Sequence, residues 1–291
     1  MTTNQPLRLR EASPHDRDVL GELLTHSHLK HFHLDWFSIY DILDEHPFLL
    51  AESEGDVYGA LACPPDPPVV AWIRLFAVRE ERQAAELWDA LWARARPAAI
   101  ALGARCATAL STRGWFDRLL RGANFAQVNE VLFMEWVQGD AQVDLHRANE
   151  LGIRTMQKAD LPQVARVDHA AFDPVWSLSQ RSLTAAYTLA SLATVLEIEG
   201  QVAAYQISTA SALGAHLARL AVTPGFQGQG LGRALVQHVL RVHTRRGLGH
   251  VSVNTQADNV HSQQLYHSLG FRETGQRYPL FQDSFPEAGA A

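Results

Sequence analysis

Apolar and polar positions alternate in blocks along this chain, and the sharpest sequence of blocks lies in its last third. Leu217 to Val222 is a short, mostly apolar run closed by Thr223-Pro224-Gly225, the pattern of a buried strand ended by a turn. Beyond the turn, Leu231, Leu235, Val236, Val239 and Leu240 recur at helical spacing up to Gly247, which reads as a helix and its C-terminal cap. A further helix is read over Val260 to Leu269. Between the strand and the first of these helices stand Gly228, Gly230 and Gly232, alternating with Gln229 and Leu231. Glycines there leave backbone amides with no side chain to block an anion, and the helix N-terminus adds the favourable end of its dipole. Two familiar phosphate motifs do not fit. No Gly-Lys-Ser/Thr follows as in a nucleotide P-loop, and the spacing is not the Gly-x-Gly-x-x-Gly of a dinucleotide fold.

Fainter copies of these blocks occur in the first half. Glu54-Gly55 recurs as Glu199-Gly200, Arg74-Leu75 as Arg219-Leu220, and Asn124-Phe125, which ends an apolar helical run Trp115 to Leu120, as Gly270-Phe271. Leu102-Gly103 matches Leu248-Gly249 in the same way, each pair separated by about 145 residues. The chain therefore reads as two domains of one fold, residues 1–140 and 151–285, joined by a polar linker near Gln138 to Glu150. Where the second copy has its glycines, the first has Arg79-Glu80-Glu81-Arg82-Gln83, whose side chains and carboxylates exclude a pyrophosphate.

At this point the chain resembles the GNAT superfamily of N-acetyltransferases. The family motif Gln/Arg-x-x-Gly-x-Gly/Ala matches Gln227, Gly230 and Gly232, preceded by the Arg-Leu-Ala-Val-x-Pro strand at Arg219 to Pro224. Asn259, Leu265-Tyr266 and Leu269-Gly270-Phe271 reproduce the family's Asn-x(6)-Tyr-x-x-x-Gly-Phe helix at the family's distance from the loop. The resemblance covers roughly Gly152 to Phe281. It implies an α/β architecture (α+β, with mixed, twisted central sheets) in two tandem GNAT-like domains, the second catalytic and the first degenerate. It also implies acetyl-CoA as cosubstrate, with its pyrophosphate on the loop Gln227, Gly228, Gln229, Gly230, Leu231, Gly232 and Arg233, its pantetheine along Leu220, Ala221 and Val222, and Asn259 nearby.

Composition narrows the partners. A net charge of −6 argues against nucleic acid or an anionic membrane surface as the main partner, and 47% apolar with 19% charged residues describes ample core material. Met1 to Arg10 is polar and no apolar run of about 18 residues occurs, so neither a signal peptide nor a membrane span is expected and the location reads as cytoplasmic. Cys63 and Cys106 lack any framework or Cys-x-x-Cys spacing and read as buried thiols. His26, His28, His31 and His33 crowd together ahead of Trp36, Phe37 and Tyr40, but no Asp/Cys set accompanies them, so an amphipathic contact helix is expected there and no metal.

Transfer of an acetyl group to an amine needs a base for the ammonium, donors for the tetrahedral oxyanion and an acid for the departing thiolate. By the family match, Tyr266 is the acid and backbone amides at Leu220 or Val222, freed where the strand bulges, hold the oxyanion. Relatives place a glutamate five residues before the motif asparagine; here that position is Asn254, which accepts no proton at neutral pH. His216, placed by period two on the strand face of Leu220, takes the base role, with Glu197, Glu199, His261 or a water chain as alternatives. The segment after the first strand lines the acceptor site in the family, which makes Asp173 and Trp176 the acceptor candidates. The acceptor expected is the primary amine of a small metabolite. A protein N-terminus is the alternative within the enzyme class, and an acyl-CoA-binding regulatory module without turnover is the alternative outside it.

Overall fold

The computed structural model describes residues 7–139 and 152–286. In chain order the elements are β1 (Arg8–Glu11), α1 (Arg17–His26), β2 (Leu29–Phe32), β3 (Phe48–Ser53), β4 (Asp56–Ala62), β5 (Val70–Trp72), β6 (Leu75–Val78), α2 (Ala84–Ala101), β7 (Cys106–Leu110), α3 (Gly114–Gly122) and β8 (Ala126–Val137). The second half continues with β9 (Ile153–Thr155), α4 (Leu161–Ala171), α5 (Gln180–Leu189), β10 (Leu192–Ile198), β11 (Gln201–Ser211), β12 (Gly214–Val222), α6 (Leu231–Arg245), β13 (His250–Gln256), α7 (Val260–Ser268) and β14 (Arg272–Ser284). The sheets are mixed. β12 and β13 run parallel, as do β5 and β7, and the hairpins are antiparallel.

Two compact units result, with boundaries at Val128/Asn129 and Tyr278/Pro279. Composition alone placed the junction near Gln138 to Glu150, of which 140–150 lie outside the described residues. The difference has a definite cause in the ladders. Val131 to Val137 of β8 pair with β13, so this strand belongs to the second unit, whereas Leu280 to Ser284 of β14 pair with β7 and belong to the first. Phe281 and Phe285 accordingly join the first unit's core, beside Trp88, Trp92 and Phe125.

The repeat seen in the sequence marks conformationally demanding turns. Glu54-Gly55 and Glu199-Gly200 are the two-residue loops of the hairpins β3–β4 and β10–β11, and all four residues have positive φ (55°, 88°, 50° and 77°), as a type I′ turn requires. Asn124 and Gly270 end α3 and α7 with φ of 63° and 87°. At the ends of α2 and α6 the residues sharing a left-handed conformation are Gly103 and Gly247 (φ 97° and 82°), so the structure moves that anchor from Gly249 to Gly247.

An ion-pair clip repeats as well. Arg10 bridges Asp16 (2.6 Å) and Glu52 (2.7 Å), and Arg154 bridges Asp160 (2.6 Å) and Glu197 (2.6 Å), tying β1 and β9 each to the neighbouring hairpin. The Arg10 guanidinium holds the Asp16 carboxyl down at about 2, and Arg154 depresses Asp160 in the same way.

The histidine run departs from expectation. α1 ends at His26 and the chain turns extended, so Leu29–Phe32 is a strand paired antiparallel with β6. Strand alternation then sends His31 inward, stacked on Phe116 at 4.0 Å and bonded through Nε2 to the Ile73 carbonyl (3.0 Å), and His33 onto Trp72 at 4.5 Å. Burial lowers the His31 pKa to about 4. Cys63 and Cys106 are buried thiols whose pKa burial raises. Among the described residues no helix is long and apolar enough to cross a membrane, and no group of His, Cys, Asp and Glu is arranged to hold a metal ion.

Candidate active site

The site is built where β12 ends. After Val222 the chain makes one tight turn, Pro224–Phe226, and then passes Gly228 (φ 74°) and Gly230 (φ 84°) into α6. Gly230 is the residue preceding the helix, and its left-handed backbone strains any other L residue, while a Cβ there would meet nothing within 4 Å. The loop therefore offers open space over the first turn of α6, whose leading amides have no carbonyl within the helix; Ala234 N donates to Gly230 O at 3.0 Å. Two glutamines brace the loop from behind, Gln227 Nε2 donating to the Val222 carbonyl (3.1 Å) and Gln229 Nε2 to that of Gly225 (3.3 Å). Gly232 serves packing, because a Cβ there would come within 3.4 Å of Leu265 Cδ2 on α7. Arg233 donates to Ser268 Oγ at 2.8 Å.

Upstream, β12 and β13 pair only at Ala215–Leu217 with Val251–Val253, and then part. On the other side, Ile207 faces Arg219 while Ser208 faces Leu217, so Ala218 is the extra residue of a β-bulge. Thr223 N donates to Ala203 O on the β11 side (2.9 Å). By strand alternation the amides of Leu220 and Val222 point the opposite way, into the splay left by β13.

The bulge also corrects one expectation. An inserted residue reverses the face on which later side chains lie. Leu217, Leu220 and Val222 all pack toward α6, with Val236, Val239 and Leu235, whereas His216 lies on the other face. His216 thus does not share a face with the Leu220 side chain. It is bonded through Nδ1 to Ser252 Oγ on β13 (2.9 Å), and period two puts Asn254 on that same face. Its partner Ser252 lies two residues before Asn254, the strand position where the resemblance expects a glutamate. Burial lowers the pKa of the imidazole below the ordinary value, which keeps it neutral at neutral pH. Asn254 itself has a buried Oδ1 without a hydrogen-bond partner among the described residues.

Tyr266 is 4% exposed on α7, 5.5 Å from the Phe271 ring. Burial raises its pKa and keeps it protonated. Asn259 caps α7, its Oδ1 accepting from Ser262 N at 3.0 Å. Of the alternative bases, Glu197 is engaged by Arg154, which lowers its pKa. Glu199 sits in the hairpin turn, and His261 is exposed on the first turn of α7. Asp173 is exposed and Trp176 half-buried in the loop between α4 and α5, where Trp176 N bonds Asp173 O at 2.8 Å.

That loop is held by residues sequence reasoning missed. Arg219 on β12 donates to the Trp176 carbonyl (2.6 Å) and through Nε to the buried carboxylate of Asp168 on α4 (2.8 Å), which also accepts from Tyr205 Oη and Leu178 N. In the sequence Arg219 stands only as part of the motif strand; its partner Asp168 lies in helix α4, and no local pattern announces the pair.

The first unit shows what a closed version of this site looks like. The counterpart of β12 is broken into β5, parallel to β7, and β6. The β6 edge corresponding to the splay is occupied by β2, with His28 N and His33 N donating to the carbonyls of Arg79 (3.3 Å) and Arg74 (3.0 Å). The glycine loop is replaced by a turn carrying Glu80 and Glu81.

The model of the Acetyltransferase (GNAT) family matches residues 161–271. The chain is 31% identical over 121 residues to the [Ribosomal protein bS18]-alanine N-acetyltransferase of Escherichia coli K12, an alignment that takes in 42% of this chain and 80% of that protein. Among solved structures, a tandem GNAT protein from the clavulanic acid biosynthesis pathway superposes with a TM-score of 0.62 at 17% identity, covering 97% of this chain and all of the other (100%). A GCN5-related N-acetyltransferase from Sphaerobacter thermophilus does so with a TM-score of 0.59 at 17% identity, over 96% of this chain and 95% of that one. These likenesses extend over both halves and show the fold. The chain belongs to the GNAT family, as an acetyl-CoA-dependent N-acetyltransferase of tandem form.

Proposed function

We propose that the second unit carries out the transfer, taking the pyrophosphate of acetyl-CoA on the amides between Gly228 and Arg233 and its pantetheine in the splay beside Leu220 to Val222. The observation that carries this reading is the conjunction of that splay with the open glycine loop at its end. The first unit, with β2 on the corresponding edge and Glu80 and Glu81 in the turn, contributes no second site.

In the reaction, His216 Nε2 takes a proton from the ammonium of the acceptor. Ser252 Oγ donates to Ala215 O (3.4 Å) and so accepts from Nδ1–H, which leaves the lone pair on Nε2. The amine nitrogen bonds to the acetyl carbon, the amides of Leu220 and Val222 stabilise the oxyanion, the carbon–sulfur bond breaks, Tyr266 protonates the thiolate, and the second proton shed by the nitrogen as the amide forms restores the phenol. Asp173, an exposed carboxylate beside Trp176, suits an incoming ammonium. Such an ammonium belongs equally to a small metabolite or to a peptide. The similarity to enzymes named for acetylating an alanine of ribosomal protein bS18 favours a protein amine, and the small-metabolite amine expected from the sequence is the second reading.

Release of free thiol from acetyl-CoA, followed across alanine-initiated peptides and small primary amines, tests the proposal. Peptides turned over with the higher kcat/KM support the first acceptor reading, and small amines the second. No thiol release with any amine, under conditions where CoA binds, would refute the catalytic assignment.

A further inference from the structure

Asp168 is fully buried, yet it is a charged group with a complete set of donors. One carboxylate oxygen accepts from Leu178 N (2.7 Å); the other accepts from Tyr205 Oη and from Arg219 through Nε (2.8 Å), with Nη2 at 2.6 Å. The Arg219 side chain is 12% exposed, donates to the Trp176 carbonyl (2.6 Å) and lies 3.7 Å from the centroid of the Phe172 ring. Phe172, Trp176 and Leu178 all belong to the α4–α5 loop, so one ion pair fastens that loop to β12. The fastening point on β12 is the residue between the bulge at Ala218 and Leu220, whose amide points into the splay. Without the inserted residue, alternation would turn Arg219 toward α6 and away from the loop.

Burying such a pair is a poor way to add stability, since apolar side chains of similar volume commonly do as well or better. A guanidinium fork aims several hydrogen bonds at once, which apolar packing does not. We propose that Arg219 and Asp168 form a positioning pair that registers the acceptor loop against the strand carrying the acetyl group, and so sets where the amine meets the thioester. This rests on the reading of the α4–α5 loop as the acceptor wall.

The first unit supplies an internal control. Arg74 occupies the corresponding place, buried in ion pairs with Asp35 and with Asp66 (3.3 Å) and 5.8 Å from the Phe37 ring, in a unit where β2 closes the groove. A purely structural role predicts that Arg74→Lys and Arg219→Lys act alike. A positioning role predicts that Arg219→Lys alone changes the use of acceptor.

The experiment compares the full-length wild type with both variants. It measures the acetyl-CoA dissociation constant, KM and kcat for an alanine-initiated hexapeptide and for ethanolamine, and amide hydrogen exchange of residues 172–179. Lysine keeps the charge but lacks the fork. In Arg219→Lys we expect KM for the amine to rise about tenfold to a hundredfold, as for loss of a hydrogen bond to a charged group. The CoA dissociation constant should stay within about twofold and exchange in 172–179 should quicken; Arg74→Lys should show none of these changes. An unchanged amine KM, a rise in the CoA dissociation constant in its place, or the same KM rise in Arg74→Lys would each overturn the proposal. Hydrolysis of acetyl-CoA by water needs no amine and separates the two claims. If the wild type hydrolyses acetyl-CoA but acetylates neither probe, the acceptor reading fails. If exchange in 172–179 is unaltered in Arg219→Lys, the positioning pair fails whatever the acceptor.

Discussion

Replacing Gly230 by Asp and, separately, by Asn isolates charge at the cradle from backbone strain, because the two side chains have one shape. Both must hold φ near the observed 84°, at a cost of about 1–2 kcal/mol for an L residue, less for these two than for others. Neither meets a clash, since a Cβ at Gly230 has nothing within 4 Å. Asp precedes α6 and gains about 0.3–1 kcal/mol from the helix dipole, so Gly230→Asp should melt at or above Gly230→Asn. Binding goes the other way. A carboxylate about 4 Å from one pyrophosphate charge in partly dry surroundings costs about 4 kcal/mol, which is nearly a thousandfold in affinity. Calorimetric titration with CoA should therefore show Gly230→Asn weakened modestly and Gly230→Asp weakened by a further two to three orders of magnitude, on the order of that estimate. The gap should narrow as salt is raised. Equal affinities for Asp and Asn in folded proteins would refute the placement of the pyrophosphate on this loop.

Tyr266→Phe should lower kcat by roughly 10², the lower end of general acid catalysis because a thiolate leaves readily, with CoA affinity and melting temperature nearly unchanged, since the ring and its contact with Phe271 are kept; full kcat in the variant would remove Tyr266 from the mechanism. For His216, burial lowers the pKa, so the base is neutral above its ordinary value of ~6.5 and protonates only below it. The rate should be flat at neutral pH and fall as pH drops below that value, and His216→Gln should abolish that acidic limb along with most of the activity, whereas an unaltered profile would exclude His216 as the base. Titration with acetyl-CoA should give one site per chain; two would show that β2 and the carboxylates of Glu80 and Glu81 do not close the first unit.

What could be read from the sequence was what local backbone chemistry dictates. Gly228 and Gly230 stand where φ is positive and nothing crowds a Cβ, and Glu54-Gly55 and Glu199-Gly200 make the tight hairpin turns, so the glycine loop, the repeat and the family were visible as short patterns. Tertiary structure decided whatever depends on which strand meets which. The histidine run became strand β2 because the edge of β6 and the rings of Phe116 and Trp72 were there to receive it. β8 and the end of β14 were assigned by their ladders and not by the linker's composition. The bulge at Ala218 exists only in the pairing of β12 with β11, yet it puts Leu220 on the face opposite His216 and turns Arg219 toward Asp168. A single inserted residue reverses every side chain after it while leaving no mark in the order of residue types, so the faces of the catalytic strand are a property of the assembled sheet.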